Sequence, residues 1–118
     1  MRYIMFVKMT PGHDAPPVAL MSAVEAEIKQ QAADGILLDA GGYGPIHELR
    51  LAGGEVTTTD GPFSETKEVI GGFSLFEVRT RDEAVEQARR MLELHQEFWP
   101  GQDVAIEVRE VAGGPAEE

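Results

Sequence analysis

A single α+β domain of ferredoxin-like build is predicted for this 118-residue chain. Three observations predict it. Apolar segments at strand spacing are interleaved with two stretches whose apolar residues recur at helical spacing. Their order is β-α-β, an added hairpin and a second β-α-β, the split arrangement of that fold, with two helices on one face of an antiparallel sheet. The length suits one domain with one core, placed here over residues 1–112, and leaves no room for a second.

The first strand runs over Arg2–Met9, with Tyr3, Met5, Val7 and Met9 on one face and Ile4 and Phe6 on the other, so both faces are expected to be covered. The stretch Pro11-Gly12-His13-Asp14-Ala15-Pro16-Pro17 breaks it and leads to a helix whose stripe is Leu20, Met21, Val24, Ile28 and Ala32, ending at Gly35. Residues 36–40 read as the second strand. Residues 48–59 read as a hairpin turning at Gly53-Gly54, with His47, Leu49 and Leu51 on one face. After the turn-rich Asp60-Gly61-Pro62-Phe63, residues 72–80 form the next strand, with Phe73 and Leu75 on one face and Phe76 and Val78 on the other. Thr80 or Asp82 caps a second helix with the stripe Ala84, Val85, Ala88, Met91, Leu92 and His95. Residues 103–111 close the domain with Val104, Ile106 and Val108 inward, and the polar tail 113–118 is expected to be disordered.

Two helices cover only one face of such a sheet. Central strands that are apolar on both faces therefore predict a second copy on the open face, that is, a homodimer. The net charge of −11, with ten Lys and Arg scattered along the chain, disfavours nucleic acid as a partner. No apolar run reaches the length of a bilayer span. Residues 1–9 carry Arg2 and Lys8 and lack a following cleavage site, so they read as a strand and not as a signal peptide, with the cytoplasm as the expected location. There is no cysteine, hence no disulfide, thiolate nucleophile or thiolate-held metal. A P-loop, a dinucleotide glycine fingerprint, a nucleophile elbow and metal-ligand spacings are all missing, so no cofactor and no metal are expected.

The most specific stretch is Asp60-Gly61-Pro62-Phe63-Ser64-Glu65-Thr66-Lys67-Glu68, followed by Gly71-Gly72-Phe73. It resembles the signature of the YCII-related, or DGPF, family. Gly41-Gly42 after the second strand, the hairpin, and His95 through Trp99-Pro100-Gly101 extend the resemblance over nearly the whole chain. The resemblance implies a dimeric α+β barrel built from two ferredoxin-like domains. The wider superfamily includes isomerases, lyases, dehydrochlorinases and monooxygenases beside ligand-binding and regulatory members. It also implies a paired histidine and aspartate: Asp60 matches the aspartate, and His95, His47 and His13 are the candidates for its partner.

Topology narrows the location of a site. The end of the first strand, the start of the strand after the motif and the start of the last strand share one end of the sheet, which brings His13, residues 60–68 and residues 95–99 together. Asp60 fits a general base or a histidine-orienting group beside the Pro62-Phe63 wall, and it equally fits a turn residue bonded to backbone N–H groups. His95, on an apolar helix face, fits a proton shuttle or a satisfied structural histidine. Lys67 is the cation placed to stabilise developing negative charge. Phe63, Glu65, His13 and Trp99 are the expected ligand contacts, although Glu65 also fits a solvated turn and Trp99 a packed one. Two functions follow: a cofactor-free isomerase or lyase moving a proton on a small organic acid or carbonyl compound, or a non-catalytic dimeric module, regulatory in role, that binds a small ligand or a protein partner.

Overall fold

The computed structural model describes residues 1–60 and 69–113, with 60, 69 and 70 through their backbone alone. In chain order the elements are β1 (Arg2–Met9), α1 (Val18–Ala33), β2 (Leu37–Gly42), β3 (His47–Ala52), β4 (Glu55–Asp60), β5 (Val69–Glu77), α2 (Arg81–Phe98) and β6 (Val104–Val111). Strands β2, β5, β1 and β6 lie side by side in that order as one antiparallel sheet, and β3 and β4 form a separate hairpin. Each helix joins two parallel strands with one antiparallel strand between them, which is the ferredoxin-like topology expected from the element order. Of the tail expected at 113–118, residues 114–118 lie outside the described residues.

Strand alternation decides which side chains meet the helices. Tyr3 pairs with Phe76, and Met5 pairs with Ser74 on one side and Val108 on the other, which sets these residues on the helix-covered face. There Tyr3, Met5, Phe76 and Val78 pack with Ala84, Ala88 and Met91 of α2 as the core cluster. Phe76, at 0% exposure, is its most enclosed member.

Helix α2 begins where Thr80 accepts a hydrogen bond from the Glu83 N–H at 3.1 Å, with Asp82 and Glu83 in the first turn facing the positive end of the helix dipole. Its buried residues are Ala84, Ala88, Met91 and His95. The wider stripe read from sequence is corrected here: Val85 and Leu92 are exposed. Each stands one residue past a buried position, about 100° further round the helix, and so turns away from the sheet.

Helix α1 buries Leu20 and Gln31, with Val24 and Ile28 partly covered, whereas Met21 and Ala32 are more exposed than their place in the apolar stripe suggested. Gln31 is accepted in the interior because Gln87 of α2 faces it: Gln31 Nε2 donates to Gln87 Oε1 at 3.0 Å. The Gln31 Oε1 atom has no partner among the described residues. Arg90 forks onto Glu27 at 3.0 and 3.1 Å and ties the two helices together at their outer edge. At the end of α1, the N–H of Gly35 donates to Ala32 O and that of Ile36 to Gln31 O, a Schellman stop that requires the left-handed φ of +77° at Gly35.

The hairpin turns through Gly53 and Gly54, at φ +61° and +81°, as a two-residue loop with both central residues left-handed requires. It stands away from the sheet, and Leu49, Leu51 and Val56 are exposed along it. The radius of gyration is accordingly 16.1 Å, against about 13.5 Å for a compact domain of this length.

Among the described residues no helix lies on the other face of the sheet. Ile4 pairs with Leu75 and Phe6 with Phe73, so these four apolar side chains share that face, each only half-buried. Tyr43 adds its ring against Phe73, 5.6 Å between centroids. At the border Glu107 accepts hydrogen bonds from Arg109 at 2.7 Å and Lys8 at 3.4 Å, which hold its carboxyl below the usual carboxylate range, Arg109 having the larger effect.

Candidate functional site

The register fixes one end of the sheet as a meeting point. Met9, the last residue of β1, pairs with Val69 at the start of β5 and with Val104 at the start of β6, and Gly42 at the end of β2 pairs with Gly72. The loops that follow β1 and precede β6 therefore meet, and the ring of His13 stands edge-on to Trp99 at 5.8 Å between centroids. Trp99 closes α2, its N–H donating to His95 O at 2.9 Å. Three of the residues expected at the site, His13, His95 and Trp99, thus lie together.

Asp60 ends β4 and is the cross-strand neighbour of His47 in the backbone ladder. The pairing follows from counting outward from the two-residue turn, Ala52 with Glu55 and so on to His47 with Asp60, and hairpin arithmetic makes it readable from sequence. Phe63, Glu65 and Lys67 lie outside the described residues.

Between the sheet and the two helices, at this same end, lies a cavity of about 240 Å³. Met5, Val7 and Met9 of β1, Leu20, Val24 and Ile28 of α1, and Met91 of α2 supply apolar walls, and Trp99 closes one side. The glycine pairs Gly41-Gly42 and Gly71-Gly72 also line it, so part of its wall is bare backbone. These glycines are not equivalent. A Cβ at Gly72 would come 2.9 Å from the backbone oxygen of Gly41, so β2 itself would have to move, whereas the one close approach at Gly71 would be to the terminal methyl of Met9 at 2.7 Å, with Val7 O at an ordinary 3.8 Å. Gly72→Ala is expected to cost about 1–3 kcal/mol, as overpacking does, and Gly71→Ala under about 1 kcal/mol because methionine can swing aside. Urea unfolding of the two variants checks this, and equal losses would refute the difference assigned to the two neighbours.

Among the described residues few polar groups reach the cavity. His95 is 8% exposed, and its Nδ1 lies 2.8 Å from Met91 O. A carbonyl only accepts, so Nδ1 carries the hydrogen, the ring orientation is fixed, and Nε2 is left as the basic nitrogen. Nε2 has no hydrogen-bond partner among the described residues. Ser74 of β5 also lines the cavity, at 2% exposure. Ser74 was not singled out from sequence, although a signal existed: it precedes Phe76 and Val78 by two and four residues and so holds a helix-facing position that alternation reserves for apolar side chains. Among the described residues no group of three His, Asp or Glu side chains is placed to hold a metal ion, and no helix is long and apolar enough to cross a membrane.

Comparison with known proteins adds a family. The YCII-related domain matches residues 1–95. The chain belongs to the YCII-related family. An uncharacterized protein of Rhizobium meliloti (strain 1021) is 39% identical to this YCII-related chain over 61 residues, covering 44% of the chain and 49% of the relative, so the match spans about half of that relative's length. Among solved structures, a phage SAM lyase in complex with S-methyl-5'-thioadenosine is similar with a TM-score of 0.44 and 16% identity, over 92% of this chain and 81% of that one.

Proposed function

We propose that this YCII-related protein is a homodimeric, cofactor-free isomerase or lyase that moves a proton on a small organic acid or carbonyl compound bound between the sheet and the helices. The observation that carries the reading is His95: a buried imidazole on the cavity wall, oriented through Nδ1 and with Nε2 unpartnered among the described residues. In that arrangement Nε2 takes a proton from carbon, and the imidazolium so formed keeps its Nδ1–H on the Met91 carbonyl. Asp60 orients a histidine or serves as a further base, and Lys67 stabilises negative charge developing on the substrate oxygen. Phe63, Glu65, His13 and Trp99 are the proposed ligand contacts.

The test is carbon-bound hydrogen exchange in deuterium oxide, followed by proton NMR across a panel of small ketones, lactones and organic acids. Protein-dependent loss of a single α-proton signal is the expected result. Compounds that bind without exchanging would replace this reading with the second one, a non-catalytic ligand-binding module. That alternative is favoured by the lining of Met5, Met9, Met21 and Met91, adaptable side chains that suit binding of several shapes.

A further inference from the structure

We infer that Ser74 and His95 jointly anchor an uncharged, mainly apolar ligand of about ten non-hydrogen atoms bearing one hydroxyl or carbonyl group. The inference rests on reading the cavity as a ligand site, and it narrows the class of molecule that site takes. Three observations converge on it.

The first is the Ser74 hydroxyl. It belongs to a residue that is 2% exposed and pairs across the sheet with Met5 and Ala40, both without side-chain polar atoms that hydrogen-bond well. It has no hydrogen-bond partner among the described residues, yet it is not among the side-chain atoms sealed from all space, and the cavity is the space beside it. A hydroxyl hidden in an apolar wall without a partner is unfavourable until something bound there completes it. The second is His95, whose Nε2, without a partner among the described residues, accepts where Ser74 can donate, so a ligand hydroxyl or carbonyl finds complementary groups on α2 and β5. The third is charge and size. Among the described residues every side chain that lines the cavity is uncharged and most are apolar, so this wall does not compensate an anion for its lost hydration. An apolar cavity of about 150 Å³ accepts benzene. In proportion, about 240 Å³ accommodates about ten non-hydrogen atoms.

Trp99 is the only tryptophan and lines the cavity, so its fluorescence reports occupancy. Three probes of similar size separate the possibilities: 4-propylphenol, propylbenzene and 4-ethylbenzoate, each titrated into the full chain and into Ser74→Ala. The expected order of affinity in the wild type is phenol, then hydrocarbon, then carboxylate. Ser74→Ala is expected to weaken 4-propylphenol about tenfold, to leave propylbenzene within about twofold, and to raise the melting temperature of the ligand-free protein by removing an unsatisfied hydroxyl. A serine with a purely structural role would instead lower that temperature and weaken both ligands alike, which overturns the inference. Tighter binding of 4-ethylbenzoate than of 4-propylphenol also overturns it while leaving the cavity as a ligand site. Silence with all three probes removes the ligand site itself.

Discussion

Glutamine in place of His95 is expected to lower catalysed carbon–hydrogen exchange by about 10²- to 10⁴-fold, the usual contribution of a positioned acid–base group. Glutamine keeps a polar, uncharged side chain on the cavity wall but cannot take up a proton at neutral pH. His95 stands at the end of the buried stripe of α2, beyond the tight Ala84, Ala88 and Met91 contacts, so the substitution should leave the core in place. Binding and exchange therefore separate in this variant. Titration monitored by Trp99 fluorescence is expected to show ligand affinity changed by no more than about tenfold, one hydrogen bond's worth, while exchange falls much further. Parallel loss of both would make His95 a binding or structural residue and not a base. Exchange that survives would move the base elsewhere, and the Asp60 and His47 cross-strand pair would be the next place to look.

Charging the helix-free face is the second substitution with a large expected effect. Phe6 shares that face with Ile4, Phe73 and Leu75 and lies outside the buried core, so Phe6→Glu leaves the monomer fold intact. Four half-buried apolar side chains on the central strands, with Tyr43 packed beside them, form a patch of the kind that monomers seldom leave open. A two-fold pairing presents the same patch from both copies, so a glutamate at position 6 enters the contact twice, each time beside the Glu107 that pairs with position 6, and both carboxylates must give up hydration there. Light scattering coupled to size exclusion is expected to give a wild-type mass about twice the 12.9 kDa of one chain and a variant mass equal to it. A wild type that stays at 12.9 kDa across a wide concentration range would remove the dimer from the proposal.

Periodicity carried most of the fold. Alternation in β1 and β5 separated Tyr3, Met5, Phe76 and Val78 from Ile4, Phe6, Phe73 and Leu75, and the structure keeps every one of these on the face assigned to it. The departures lie where burial depends on a neighbour far away in sequence. Gln31 is buried because Gln87 meets it from the other helix, and Val85 and Leu92 are exposed because only a narrow stripe of α2 touches the sheet. Spacing along one helix contains neither fact.

The site divides in the same way. Strand order by itself brings the loop of His13 to the end of α2, since antiparallel neighbours must share their ends, and the contact of His13 with Trp99 follows. The pairing of His47 with Asp60 was equally available, because a two-residue turn fixes every partner along a hairpin. What sequence determined about this protein is thus its periodic elements, their order and the end of the sheet where its loops meet, all consequences of local backbone geometry. Only the tertiary structure decided that a cavity lies there, that four glycines leave part of its wall bare, and that Ser74 and an imidazole held through Nδ1 both line it. Those depend on how closely two helices and a sheet pack in three dimensions, a distance that no spacing along the chain encodes.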